Sequence, residues 1–78
     1  MDVRSLTYFL EVAKHSSFSK ASQNLHITQP TLSKMIKNLE EELGVTLFDR
    51  STRRMQLTEA GEAVRMHAQM VLQSIGYL

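Results

Sequence analysis

The sequence predicts a mainly α fold: four helices, with a short two-stranded insert before the last of them. Three observations predict it. Apolar residues recur at helical spacing in four separate runs. A Ser, Thr or Asp stands at the start of each run, where a side-chain oxygen can take an unpartnered backbone N–H. One stretch alone, Val45 to Leu57, breaks the helical period and reads as strand, polar turn and strand.

The first helix is expected from about Val3 to Lys14, with Asp2 as its N-cap and His15-Ser16-Ser17 as its end. Val3, Leu6, Phe9, Leu10 and Ala13 form its apolar stripe, which Tyr8 and Val12 widen. Ser17 or Ser19 then caps a short second helix that buries Phe18, Ala21 and Leu25. The small Ala21 lets a neighbouring backbone come close. His26-Ile27-Thr28 breaks the chain before a third helix, capped by Thr28. Pro30 sits in its first turn, where a missing N–H costs nothing. Leu32, Met35, Ile36, Leu39 and Leu43 make a core-facing stripe, and Gly44 occupies the position where a left-handed residue ends a helix.

Leu47-Phe48 and Met55-Gln56-Leu57 read as the two strands. The turn between them, Asp49 to Arg54, lacks the Asn-Gly or Asp-Gly of a tight hairpin, so a looser loop is expected. Thr58 caps the last helix, about Glu59 to Ser74. Its apolar residues, among them Ala63, Val64, Met66, His67, Met70, Val71 and Leu72, occupy more than one face. Such a helix needs two partners: its own domain and something outside it.

Composition narrows the function classes. At 78 residues the chain is one domain, and an apolar fraction of 42% suffices for a small core. There is no cysteine, hence no disulfide or thiolate metal site, which fits a reducing cytosol and a cytoplasmic location. No apolar run approaches the roughly 18 residues of a membrane span, and the first residues do not resemble a signal peptide. His15, His26 and His67 share no metal-ligand spacing, and Glu40, Glu41 and Glu42 crowd one helix end without the look of a cleft. Neither an enzyme nor a cofactor is expected.

Charge is informative through its placement. The net charge is only +1, yet Arg50, Arg53 and Arg54 cluster in the strand–strand loop while the glutamates gather elsewhere. On the third helix, where residues advance by about 100° each, the face opposite the apolar stripe holds Pro30, Ser33, Lys34 and Lys37, flanked by Gln29 and Thr31. Gln pairs bidentately with adenine, Ser and Thr accept or donate at base edges, and Lys reaches guanine or phosphate. Pro30 and the Thr31 methyl suit a thymine methyl. A short helix, a three-residue break and a helix sorted in this way form a helix-turn-helix with its reading end at Thr28 to Lys37. The arginine loop is then a wing that clamps phosphates beside the groove or enters a minor groove. The glutamates, repelled by phosphates, should tilt away from the duplex. The rival reading is a helical protein-interaction module whose Met66 and Met70 dock a partner helix without DNA readout.

These residues resemble the N-terminal domain of LysR-type transcriptional regulators. The matching run is Phe18-Ser19-Lys20-Ala21-Ser22, Leu25, Thr28-Gln29-Pro30-Thr31-Leu32-Ser33-Lys34, Ile36, Leu39-Glu40-Glu41-Glu42-Leu43-Gly44-Val45, Leu47-Phe48-Asp49-Arg50 and Leu57-Thr58-Glu59-Ala60-Gly61. The resemblance implies a winged helix-turn-helix over residues 1–57 and a linker helix over 58–78 that pairs with the same helix of a second copy. Ala63, Met66, His67, Met70 and Val71 are the expected dimer residues. It also implies promoter DNA as partner, bound at an interrupted palindrome, with a dimer, or a tetramer in the full-length protein. A small-molecule effector is expected only for a C-terminal domain that this chain lacks. The family's contact positions fall on Gln29, Pro30, Thr31, Ser33 and Lys34, and on Arg50, Arg53 and Arg54 in the wing. Ser22 and Thr31 stand where Ala is common, Lys34 where Arg is common, and the wing has no Gly at its tip. These departures bear on sequence preference, not on fold.

Overall fold

Four short side chains set where the helices begin. The Asp2 carboxylate accepts the Ser5 N–H at 2.8 Å, and the Ser5 hydroxyl accepts the Asp2 N–H at 2.9 Å. This reciprocal cap opens α1, Val3–His15. The Ser5 bonds hold the Asp2 carboxyl below the ordinary carboxylate range, so the cap weakens as pH falls through that lowered value. Ser17 caps α2, Phe18–Leu25, Thr28 caps α3, Gln29–Leu43, and Thr58 caps α4, Glu59–Ser74. Ser16, His26 and Gly44 take left-handed conformations and end the first three helices. The computed structural model describes residues 1–51 and 54–77; Thr52, Arg53 and Leu78 lie outside them.

The apolar stripes meet in one core. Phe9 and Val12 of α1, Ala21 of α2, and Leu32, Ile36 and Leu39 of α3 are buried together with Leu47 and Phe48. Ala21 is fully buried. Ser22 beside it is also buried, and its hydroxyl donates to the Ser19 carbonyl at 2.8 Å, so the polar group is satisfied within its own helix. The Phe48 ring is packed by Phe9 at 5.5 Å and by Phe18 edge-on at 5.8 Å between centroids.

Two strands, β1 (Phe48–Asp49) and β2 (Gln56–Leu57), pair antiparallel with Phe48 opposite Leu57 and Asp49 opposite Gln56. The first strand thus sits one residue later than the sequence suggests, and Met55 is outside the second. The cause is non-local. The Leu47 N–H is taken by the Glu40 carboxylate at 2.7 Å, and its carbonyl accepts the Thr58 N–H at 2.9 Å. With its N–H held by Glu40, Leu47 gives the strand pair only its carbonyl, whose bond to Thr58 closes the end of the ladder.

The Leu47 carbonyl also explains the glycine in the first turn of α4. A Cβ at Gly61 would lie 2.1 Å from that oxygen. Gly61→Ala should therefore destabilise the fold by about 1–3 kcal/mol as an overpacked site, after the roughly 1 kcal/mol that Ala gains over Gly in a helix. Urea unfolding measures it; an unchanged midpoint would show that the α4 entry moves freely.

Candidate nucleic-acid interface

The exposed side of α3 begins with a cap whose chemistry is already committed. The Thr28 hydroxyl accepts the Thr31 N–H at 3.3 Å and donates to the Thr31 hydroxyl at 2.7 Å. Thr28 therefore orders the first turn, while Thr31 keeps its own hydroxyl proton to give. Gln29, Pro30, Thr31, Lys34 and Lys37 are exposed, and Ser33 is half-buried. The buried side is Leu32, Ile36 and Leu39. No acidic residue lies in the first turn, so the helix end is electropositive.

The wing lies along one edge of this surface. Arg54 and Gln29 line the same open depression, together with Ser17, Phe18 and Ser19 at the start of α2. Ser33 and Lys37 line the next depression, with Arg50, Phe18 and Glu40. Gln29, Ser33 and Lys37 are spaced four apart, so they form one row along α3. The structure brings that row against the wing: Arg54 at its first residue, Arg50 at its later two. Lys34, Pro30 and Thr31 stand on the exposed surface beyond the row. Arg53, the third expected wing contact, lies outside the described residues.

Arg50 proves more constrained than a loop arginine. Its guanidinium carbon lies 5.2 Å from the Phe18 ring centroid and 5.9 Å from that of Phe48. Its Nη1 is 3.8 Å from Glu40 Oε1. Asp49, the acid next to it in sequence, is used elsewhere. The Ser51 hydroxyl and N–H donate to its Oδ1 at 2.5 and 2.9 Å, and these bonds hold its carboxyl below the ordinary range.

Sequence reasoning missed two participants. The sequence groups Glu40 with Glu41 and Glu42 at an end that avoids phosphates, yet its carboxylate turns inward to the wing. Phe18 has the sequence pattern of a core residue, yet it carries the Arg50 guanidinium. Neither has a local signal, because each contact joins residues from different elements. Among the described residues no group of His, Cys, Asp and Glu is placed to hold a metal ion, and no helix is long and apolar enough to cross a membrane.

A second surface lies on α4. Gly61, Ala68 and Leu72 are buried against the domain. Met66, Met70 and Val71 are 54%, 63% and 49% exposed, and Ala63 and His67 are exposed beside them. His67 lines an apolar groove with Leu6, Leu43, Ala63 and Val71. The two faces read from the sequence are thus one buried face and one apolar face left open.

Comparison with known proteins gives this geometry a context. Residues 3–62 match the family described as "Bacterial regulatory helix-turn-helix protein, lysR family". An uncharacterized HTH-type transcriptional regulator of Bacillus subtilis, YwbI, is 67% identical over 57 residues, covering 73% of this chain and 19% of that protein. The HTH-type transcriptional regulator AlsR of the same organism is 50% identical over 76 residues, covering 97% of this chain and 25% of AlsR. The chain thus spans a quarter or less of the length of these two relatives. A crystal structure of a BenM_DBD/catB site 1 DNA complex superposes with a TM-score of 0.93 at 41% identity, covering 97% of this chain and 82% of that one.

Proposed function

The chain belongs to the lysR family of bacterial regulatory helix-turn-helix proteins, and from that membership and the site geometry we propose that it reads double-stranded promoter DNA and so regulates transcription. One observation carries the reading: the row Gln29, Ser33 and Lys37 lies on an electropositive helix end, edged by Arg54 and Arg50. Two named relatives are transcriptional regulators, and BenM_DBD was crystallised with DNA.

In this reading the Thr28 to Lys37 end of α3 enters a major groove. Gln29 and Ser33 contact base edges. Pro30 and the Thr31 methyl make apolar contact. Thr28 orders the first turn. Lys34, Lys37, Arg53 and Arg54 supply phosphate affinity, which is salt-dependent and blind to sequence. Arg50 adds charge at the groove edge. The chemistry is binding, not catalysis, and its setting is the bacterial cytoplasm, where the chromosome lies.

The open face of α4 completes the mechanism. Ala63, Met66, His67, Met70 and Val71 pack against the same residues of a second copy, as a two-fold interface requires. Two reading helices then meet two half-sites of an interrupted palindrome. Residues 58–78 serve as this linker, and 1–57 as the reading domain. The two named relatives are about four times as long as this chain, which leaves room in a whole protein for the effector-binding domain, small-molecule effector and tetramer that the family resemblance implies.

Gln29→Ala tests base readout. It should cost about 1–3 kcal/mol at one base pair and little at the others. Binding to duplexes that differ at single base pairs measures this. An equal loss on every duplex would make Gln29 a backbone contact and remove it from readout.

A further inference from the structure

Glu40 sits among acids at the end of α3 that DNA phosphates should repel, yet its side chain is only 13% exposed. Its Oε2 accepts the Leu47 N–H at 2.7 Å and the Phe48 N–H at 3.4 Å. Its Oε1 faces the Arg50 guanidinium at 3.8 Å. Arg50 in turn lies over Phe18, the first residue of α2. Glu40 and Arg50 thus join α2, α3 and β1 at one point beneath the proposed reading row.

Other contacts hold the strand pair itself: the ladder to β2, and the Thr58 bond to the Leu47 carbonyl. Both tie β1 towards α4. The Glu40 carboxylate ties it to α3, the helix that carries Gln29 and Ser33. A nearly buried carboxylate is costly unless its oxygens are hydrogen-bonded, and here the bonds come from the backbone N–H groups of Leu47 and Phe48. We propose that Glu40 is a positioning residue for DNA recognition: through Leu47 and Phe48 it fixes the wing against α3, so that wing and reading row meet one duplex together. Arg50 belongs to the same latch, with its charge spent on geometry as well as on phosphate. The inference rests on the DNA-binding reading and deepens it.

Pre-set geometry favours the one duplex that satisfies all contacts at once, and adds little to random DNA, where phosphate charge dominates. The latch should therefore show in the ratio of affinities, not in affinity alone. The test uses a duplex selected by the wild-type chain from a random pool and a scrambled duplex of equal length. Glu40→Ala, folded by circular dichroism, should lower the selected-to-scrambled affinity ratio about tenfold. Glu40→Gln keeps an oxygen to accept the Leu47 N–H and should restore most of that ratio. A ratio within twofold of wild type in Glu40→Ala, or a Gln variant as impaired as Ala, would overturn the proposal. Hydrogen exchange of the wild-type Leu47 amide gives a test that no folding failure can spoil. Protection is expected, and exchange at the rate of a free amide would overturn the latch. A wild-type chain that selects no duplex at all overturns the DNA-binding reading instead, and this inference with it.

Discussion

Met70→Glu should convert the chain from dimer to monomer and weaken its binding to a palindromic duplex by a factor of about 10²–10⁴. Met70 is 63% exposed in the single chain, so a charge there leaves the domain core untouched. In a two-fold interface the same charge enters twice, and neither copy finds a partner for it. Desolvation and like-charge repulsion then oppose association. Loss of the dimer removes the linkage between two reading helices, so each must bind its half-site alone. The affinity of one half-site for one chain should be nearly unchanged, which separates dimer loss from damage to the reading surface. Sedimentation velocity reads the first effect and duplex titration the second. A Met70→Glu chain that remains dimeric, or binds the palindrome like wild type, would move the interface off this face of α4.

The largest expected effect on stability belongs to Phe48→Ala, at about 3–5 kcal/mol. Phe48 is 2% exposed and packed by both Phe9 and Phe18. A domain of this size has roughly 4–12 kcal/mol to lose. The melting temperature should therefore fall by on the order of 20 °C or more. The substitution also removes one of the two rings beneath Arg50, at the strand position opposite Leu57, so the surviving folded chains should hold their wing loosely. Thermal and denaturant unfolding measure the first consequence. A loss under about 1 kcal/mol would mean that the core refills around the cavity, which a well-packed interior rarely does.

The helices were legible because their determinants are local. Asp2, Ser17, Thr28 and Thr58 cap within three residues of themselves, and the stripes of α1 and α3 repeat every turn. The bounds of the last helix, Glu59–Ser74, are set locally too. Its two-sided composition also pointed to an open apolar face, which Met66, Met70 and Val71 present. What escaped was set by contacts between distant residues. The first strand moved by one residue because Glu40 claims the Leu47 N–H and leaves only its carbonyl to pair with Thr58. Arg50, equal to Arg54 in the sequence, became part of a latch because Phe18 and Glu40 happen to meet it. The row Gln29, Ser33, Lys37 was half visible. Helical periodicity placed Ser33 and Lys37 together, but the wing's approach along that row depends on how β1 leaves α3.

The central claim, sequence-specific reading of duplex DNA by a dimer, is tested most directly by selecting bound duplexes from a random pool with the wild-type chain. The account predicts enrichment of an interrupted palindrome bound by two chains. A pool that stays random after repeated selection, while the chain still binds DNA through its cations, would contradict it.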